Sequence, residues 1–296
     1  MSISISQKRK KFKELLHSNN VLIAPGIYDA YGAKLVENAG FQAAYITGNG
    51  VSASLLGHPD IGQVDLTMMS DHARRIASCI DIPVICDADT GYGGMFNIQR
   101  TIEEFEATGI CAIHIEDQSF PKRCAQFDGA RTVLDFKDAV RQIKAAVQSR
   151  SDDQFMIIAR TDCAASLGLD HAIERAKAFV AEGADAIFME LKPSKDAIEK
   201  IKKIKESVNT ICLFNVDVGG AVSELKANEM KSIGIDIAIH PSLGRGIFGF
   251  AMQAALAKLK STGNLSELKN QMLPGKEYNH ALGLEDFENW EKQLFS

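Results

Sequence analysis

Eight short apolar runs, spread along the whole chain and each closing on polar residues, constrain this sequence more than anything else in it. In four of them a glycine leads in: Gly40 before residues 43–47, Gly109 before 112–117, Gly183 before 186–190 and Gly234 before 235–240. Residues 21–24, 84–87, 155–160 and 211–215 fill the gaps. A parallel strand covered on both faces reads as a near-continuous apolar run. Each run is followed by a stretch with apolar residues three to four apart, the mark of a helix with one buried face. Eight such units predict an α/β chain, a closed (β/α)8 TIM barrel with additional N-terminal and C-terminal helices. The 296 residues exceed the roughly 250 that such a barrel needs, so one domain over 1–296 accounts for the length. The surplus, 247–296, reads as a C-terminal helical extension whose aromatic content suits docking onto a neighbouring subunit.

The bulk numbers exclude several classes. A net charge of −5 gives no concentrated basic field, which argues against a nucleic-acid surface. No apolar run approaches the length of a membrane span. The first twenty residues are polar and then basic, Lys8-Arg9-Lys10-Lys11, with no apolar h-region; no export signal is read, and a cytoplasmic location is expected. Phe12, Leu15 and Leu16 predict a helix packed under the barrel with its lysines in solvent. The six cysteines show no metal or disulfide spacing and fit a reducing compartment.

Punctuation places the helices. Asp29, Asn97 and Asp170 are expected N-caps, because their side chains can accept from free N–H groups at a helix start. The lysine-rich 192–205 stretch reads as a solvated outer helix face. Two connections, 47–64 and 117–134, are too long for simple turns and read as functional loops.

In a TIM barrel the reacting groups sit at strand C-terminal ends, and the charged residues collect there. In Asp87-Ala88-Asp89-Thr90-Gly91 the two carboxylates lie two apart, and they repel unless a cation sits between them. Hard oxygen ligands of this kind suit Mg2+. Glu116, Asp117 and Glu190 add carboxylates at other strand ends. The competing reading is a capped loop with Asp89 bonded locally. Arg160 closes the fifth run and suits a substrate carboxylate or phosphoryl group, or an ion pair with Glu116 or Glu190. Asn215 closes the seventh and can hydrogen-bond a substrate. His114, between Ile113 and Ile115, reads as a packed histidine rather than a proton carrier. Cys124, in Lys122-Arg123-Cys124, is a loop thiol that its flanking cations suit for proton transfer, or an incidental cysteine.

Residues 45–60, 87–93, Glu116-Asp117-Gln118, Lys122-Arg123-Cys124, 158–162 and Asn215 together resemble the isocitrate lyase/phosphoenolpyruvate mutase superfamily. The nearest branch is that of 2-methylisocitrate lyase and carboxyphosphonoenolpyruvate phosphonomutase, and the resemblance runs from about residue 22 to 246. It implies a Mg2+ enzyme, with Mn2+ as the alternative, acting on a small carboxylate. By position it implies that Thr47, Gly48 and Asn49 hold a substrate carboxylate, with Tyr45, Glu190, Asn215 and Arg160 also on the substrate. It implies Asp87 as the most direct metal ligand, Asp89, Glu116 and Glu190 acting largely through water, and Asp60, Lys122, Cys124 and Arg160 as catalytic. It further implies a homotetramer with exchanged C-terminal helices. Three positions depart from the pattern of the lyases: Ala125 stands for glycine, Gln126 for histidine and Val218 for glutamate.

The expected activity is cleavage of a C–C bond in a 2-hydroxy or 2-oxo dicarboxylate through an enolate-type intermediate. Carboxyphosphonoenolpyruvate phosphonomutase chemistry, oxaloacetate decarboxylation and a non-catalytic keto-acid-binding barrel are the rivals.

Overall fold

The computed structural model describes residues 3–124 and 131–295. Ala125, Gln126 and Gly129, singled out above, lie outside the described residues. Eight parallel strands close in sequence order: β1 Leu22–Ile27, β2 Ala44–Ile46, β3 Val84–Asp87, β4 Ala112–Glu116, β5 Met156–Thr161, β6 Ala186–Met189, β7 Ile211–Asn215 and β8 Ile237–His240. β8 returns to β1 with Leu22 opposite Ile237 and Pro25 opposite His240, so the barrel has no open edge. The expected (β/α)8 barrel is therefore the observed one.

Strand side chains alternate faces, and this alternation builds the site. Leu22, Tyr45, Ile85, Ile158, Phe188 and Leu213 pack into one cluster inside the barrel. The residues between them, such as Ile46, Cys86, Ile113 and Ile157 on one side and Ile187 and Phe214 on the other, face the helices in two further clusters. Carried upward past the apolar layers, the inward set becomes Asp87, His114, Glu116, Arg160, Glu190 and Asn215. Strands β3 to β7 thus deliver their chemistry to the lumen's upper end by parity alone.

Of the three expected caps, Asp29 forms: its carboxylate accepts from Gly32 N at 2.6 Å at the start of the helix Ala30–Asn38. The other two do not. The helix Met95–Glu106 begins at Gly94 and the helix Leu169–Ala181 at Gly168, so Asn97 and Asp170 fall inside their first turns. An aspartate there still favours the positive helix end, which is why the residue type misled. Residues 47–64 are not one long loop either, since Gly48–Leu56 is a helix ending at Gly57 with φ 64°. Its small, glycine-rich sequence lacks a helical signal, and burial of Val51 and Ser52 stabilises it instead.

The N-terminal helix Ile5–Leu16 plugs the barrel's underside, with Phe12 and Leu16 joining the interior cluster. Its basic run is not all in solvent, as expected above: Lys10 is exposed, but Lys8 and Arg9 are buried. Lys8 Nζ donates to the carbonyls of Ala77 (2.7 Å) and Ile80, where the helix Leu66–Cys79 ends. Arg9 donates to the carbonyls of Ile110 (3.1 Å) and Glu106 (2.6 Å), at the end of Met95–Glu106, and to Asp152 at 2.5 Å. Cations at helix C-termini meet the negative dipole end and otherwise unpaired carbonyls. Periodicity alone could not show this, because the partners are far away in sequence.

In the 192–205 stretch, Lys202 and Lys203 are exposed on the helix Ala197–Ser207 while Ile201 and Ile204 are buried, as read. Beyond β8 run the helices Leu243–Thr262, Gly275–Ala281 and Leu284–Leu294, none with a buried residue. Among the described residues no helix is long and apolar enough to cross a membrane.

Candidate active site

A small cavity of about 60 Å³ opens at the upper end of the barrel. Tyr45, Thr47, Asn49, Asp60, Asp87, Glu116, Lys122, Cys124, Arg160, Glu190 and Asn215, all proposed from sequence, line it. Gly48 and Asp89 lie immediately behind that lining. Gly48 N donates to Asp87 Oδ2 at 3.2 Å, and Asp89 N donates to Asp87 Oδ1 at 3.0 Å. A Cβ on Gly48 would come within 2.7 Å of Asp87 Oδ2, so only glycine lets the Gly48–Leu56 helix start against that carboxylate.

Burial works against ionisation of Asp87, but His114, Lys122 and Arg160 outweigh it and hold its carboxyl down at about 2. Asp89 goes the other way, raised to about 7 by burial and by the neighbouring Asp87 and Asp60, against the pull of Lys122. Lys122 Nζ lies 2.6 Å from Asp60 and also contacts Asp89. Burial opposes the charge on this ammonium; Asp89, Asp87 and Glu116 more than offset that and keep it protonated. The expected loop cation therefore spends its donors on carboxylates, and the described hydrogen-bond partner of Cys124 is Asn49, whose Nδ2 donates to Sγ at 3.3 Å.

Arg160 stands opposite Glu116 in the β4–β5 register. Its guanidinium lies 3.2 Å from Glu116, 3.1 Å from Asp162 and 3.9 Å from Glu190, and 4.8 Å above the Phe188 ring. Of the two sequence readings of Arg160 the ion pairing is present, and the guanidinium also lines the cavity. Glu190 accepts from Asn215 Nδ2 at 2.8 Å and is raised to about 7, chiefly by burial. Glu116 is also raised by burial, and its Oε1 has no hydrogen-bond partner among the described residues. His114 is fully buried, with Nε2 2.9 Å from Tyr45 OH and Nδ1 3.6 Å from Asp87. Burial lowers it to about 4, so it is a neutral, packed histidine, as read.

One expectation is corrected. Asp117 follows the last residue of β4 and has outward parity, so it turns away from the cavity. Its carboxylate accepts from Thr161 Oγ1 (2.7 Å), Asp162 N (2.9 Å) and Arg175 (2.9 Å). Arg175 also donates to Leu134 O at 2.6 Å, so one guanidinium holds both ends of the 117–134 connection.

Sequence reasoning gave no role to Gln118, Asp162, Asp217 or Arg131. Asp162 gathers Arg160, Gln118 Nε2 (2.6 Å) and Arg131 (2.9 Å). The signal was present for three of them: Gln118, Asp162 and Asp217 each stand two residues beyond an assigned inward residue, on the same parity. Arg131 had no such signal.

The donor set fits a hard divalent cation. Asp60, Asp87, Asp89, Glu116, Asp162 and Glu190 are buried carboxylates, six against the three buried cations Lys122, Arg131 and Arg160. Among the described residues no group of three or more His, Cys, Asp or Glu side chains is arranged to hold a cation between them. A cation here would take few protein ligands and keep water, which is the habit of Mg2+. Carboxylates must lose their protons to bind it, so Mg2+ affinity should climb about tenfold per pH unit below about 7 for each of Asp89 and Glu190 that must ionise, and level off above. The metal-free protein should show the reverse trend. Raised folded-state pKa values contribute stability that is present below the unfolded carboxylate range and lost as pH rises through about 7. Calorimetry and melting curves across this range check both slopes, and a pH-independent affinity would remove Asp89 and Glu190 from the cation site.

The family described as phosphoenolpyruvate phosphomutase matches residues 12–262. A 2,3-dimethylmalate lyase of Eubacterium barkeri is 38% identical over 93% of this chain and 94% of its own. A 2-methylisocitrate lyase of Shewanella oneidensis is 37% identical over 97% of both. Among solved structures, oxaloacetate acetylhydrolase with 3,3-difluorooxalacetate superposes with a TM-score of 0.89 at 31% identity, covering 98% of this chain and 97% of the other. Phosphonopyruvate hydrolase with oxalate and Mg2+ superposes with a TM-score of 0.86 at 26% identity over the full length of both.

Proposed function

The chain belongs to the phosphoenolpyruvate phosphomutase family, in the superfamily shared with isocitrate lyase, and we propose that within it the protein is a Mg2+-dependent lyase of small 2-hydroxy dicarboxylates. The observation that carries this reading is a thiol and a guanidinium in one carboxylate-lined cavity: Cys124 and Arg160 face the same small space. A mutase or decarboxylase on this scaffold has less use for a loop thiol.

Arg160 and the N–H groups at the start of Gly48–Leu56 would hold the substrate's carboxylate at the 2-hydroxy end. Glu190, raised to about 7 and oriented by Asn215, has the affinity range for the hydroxyl proton. As that proton leaves, the C2–C3 bond breaks. C2 becomes the carbonyl of a 2-oxo acid, and the electron pair stays on C3, delocalised into its carboxylate. The Cys124 thiol then gives its proton to C3. A divalent cation held by Asp87, with Asp89, Glu116 and Glu190 through water, would supply charge stabilisation for the enolate-like oxygens. Lys122, buried between Asp60 and Asp89, fixes the approach of the segment that carries Cys124.

The test is release of 2-oxo acid from 2-methylmalate, 2,3-dimethylmalate and 2-methylisocitrate with Mg2+. Failure to release one from any of them, with phosphonopyruvate turned over instead, would transfer the protein to the mutase side. A barrel that binds oxalate with Mg2+ but turns over nothing would be a keto-acid sensor.

The same reading includes a homotetramer. Leu284, Phe287, Trp290 and Leu294 form one exposed stripe on the last helix. An apolar cavity of about 850 Å³ lies beside Tyr28, Leu35, Val36 and Phe248 at the barrel's flank. Apolar patches of this extent mark association surfaces. Trp290→Asp combined with Phe287→Asp should convert the tetramer to smaller species in light scattering, with far-UV dichroism retained. An unchanged mass would exclude the stripe from assembly.

A further inference from the structure

A second cavity of about 480 Å³ opens beside the first and shares Glu190, Asn215 and Asp217 with it. Its walls are Met189, Ala197, Ile201, Phe214 and Val222, all buried. They belong to the layer between the barrel and the helix Ala197–Ser207. Interiors are normally filled to crystal-like density, and here the layer is left open on the side facing the reaction. The size is that of a ligand pocket. The boundary between the two spaces is the Asn215–Glu190 hydrogen bond of 2.8 Å, and Asn215 Oδ1 on that sill has no hydrogen-bond partner among the described residues.

Charge decides what can cross. Asp217, fixed by Ser242 Oγ at 2.5 Å, and Glu190 stand at the junction, so two carboxylates flank the entrance. Among the lining residues the one cation is Lys192, whose side chain is exposed to solvent. A carboxylated arm would pass two acids to reach an apolar slot, and desolvating it there is costly. A hydrocarbon arm meets neither penalty. Val218 on the same rim adds no third acid.

We propose that this slot is a specificity subsite for a linear alkyl arm, longer than methyl, on C3 of the 2-hydroxy dicarboxylate. The proposal rests on the lyase reading above and adds the substrate class: alkylated malates rather than tricarboxylates.

The experiment measures kcat/KM with Mg2+ for 2-methylmalates carrying methyl, ethyl, propyl, butyl or carboxymethyl at C3. Each methylene buried should raise kcat/KM about fourfold until the slot is full. The carboxymethyl compound, which is 2-methylisocitrate, should fall at least about tenfold below the propyl one. Val222→Phe, which fills the slot, should lower the butyl-to-methyl ratio by about tenfold or more. A flat or falling series, or a carboxymethyl arm preferred over alkyl, overturns the subsite. Binding of alkylmalonates to the wild-type holoenzyme, followed by calorimetry, needs neither turnover nor the variant. Affinity that rises with alkyl length while nothing is cleaved keeps the slot and sinks the lyase reading. Cleavage of the methyl compound with no length dependence in either assay keeps the lyase and sinks the slot.

Discussion

Changing Cys124 to serine should cut turnover by about 10²- to 10⁴-fold while leaving oxalate binding within about threefold. The substitution preserves shape and the bond from Asn49, since Oγ can accept from Nδ2 where Sγ now does at 3.3 Å. What it removes is acidity. A hydroxyl is a far weaker proton donor than a thiol, so C3 would keep its charge and the C–C cleavage would run back. Uniform-binding and transition-state effects separate cleanly here: a fall in kcat with unchanged oxalate affinity places Cys124 in the proton step. Full activity in C124S would remove it from the mechanism. A fall matched by equal loss of oxalate affinity would make it a binding residue only.

Replacing Arg160 with methionine should be the most damaging single change to the fold as well as to the site. The guanidinium is buried against Glu116, Asp162 and Glu190 at 3.2, 3.1 and 3.9 Å. Burial alone pushes Glu116 and Glu190 upward, and Arg160 is the charge that opposes this. Removing one partner of a buried pair while leaving the other typically costs about 3–5 kcal/mol. For a chain of this size that is roughly a 6–20 °C drop in melting temperature. Part of the loss should return as pH falls through about 7, where the abandoned carboxylates take up protons. Activity should be undetectable at any pH. An Arg160→Met protein that melts like wild type would mean that Mg2+, and not the guanidinium, balances those acids.

The barrel and most of its mouth were legible because strand alternation carries the information locally. Once β4 is read as Ala112–Glu116, the inward positions His114 and Glu116 follow, and β5 yields Arg160 by the same count. The same rule ignored one step too early missed Asp162, and ignored altogether it miscast Asp117 as a rim acid. Other features were illegible for a different reason. The burial of Lys8 depends on carbonyls 69 and 72 residues away. The Gly48–Leu56 helix is imposed by packing, not by propensity. Neither leaves a mark within a short window of sequence.

The plug beneath the barrel also fixes an order of events. Arg9 is made 143 positions before its partner Asp152. Likewise β1 finds β8 only when the six strands between them have been made. The helix Ile5–Leu16 therefore waits, its Phe12 uncovered, for the strands that enclose it. A chain arrested before those strands form has a strip of greasy side chain on display.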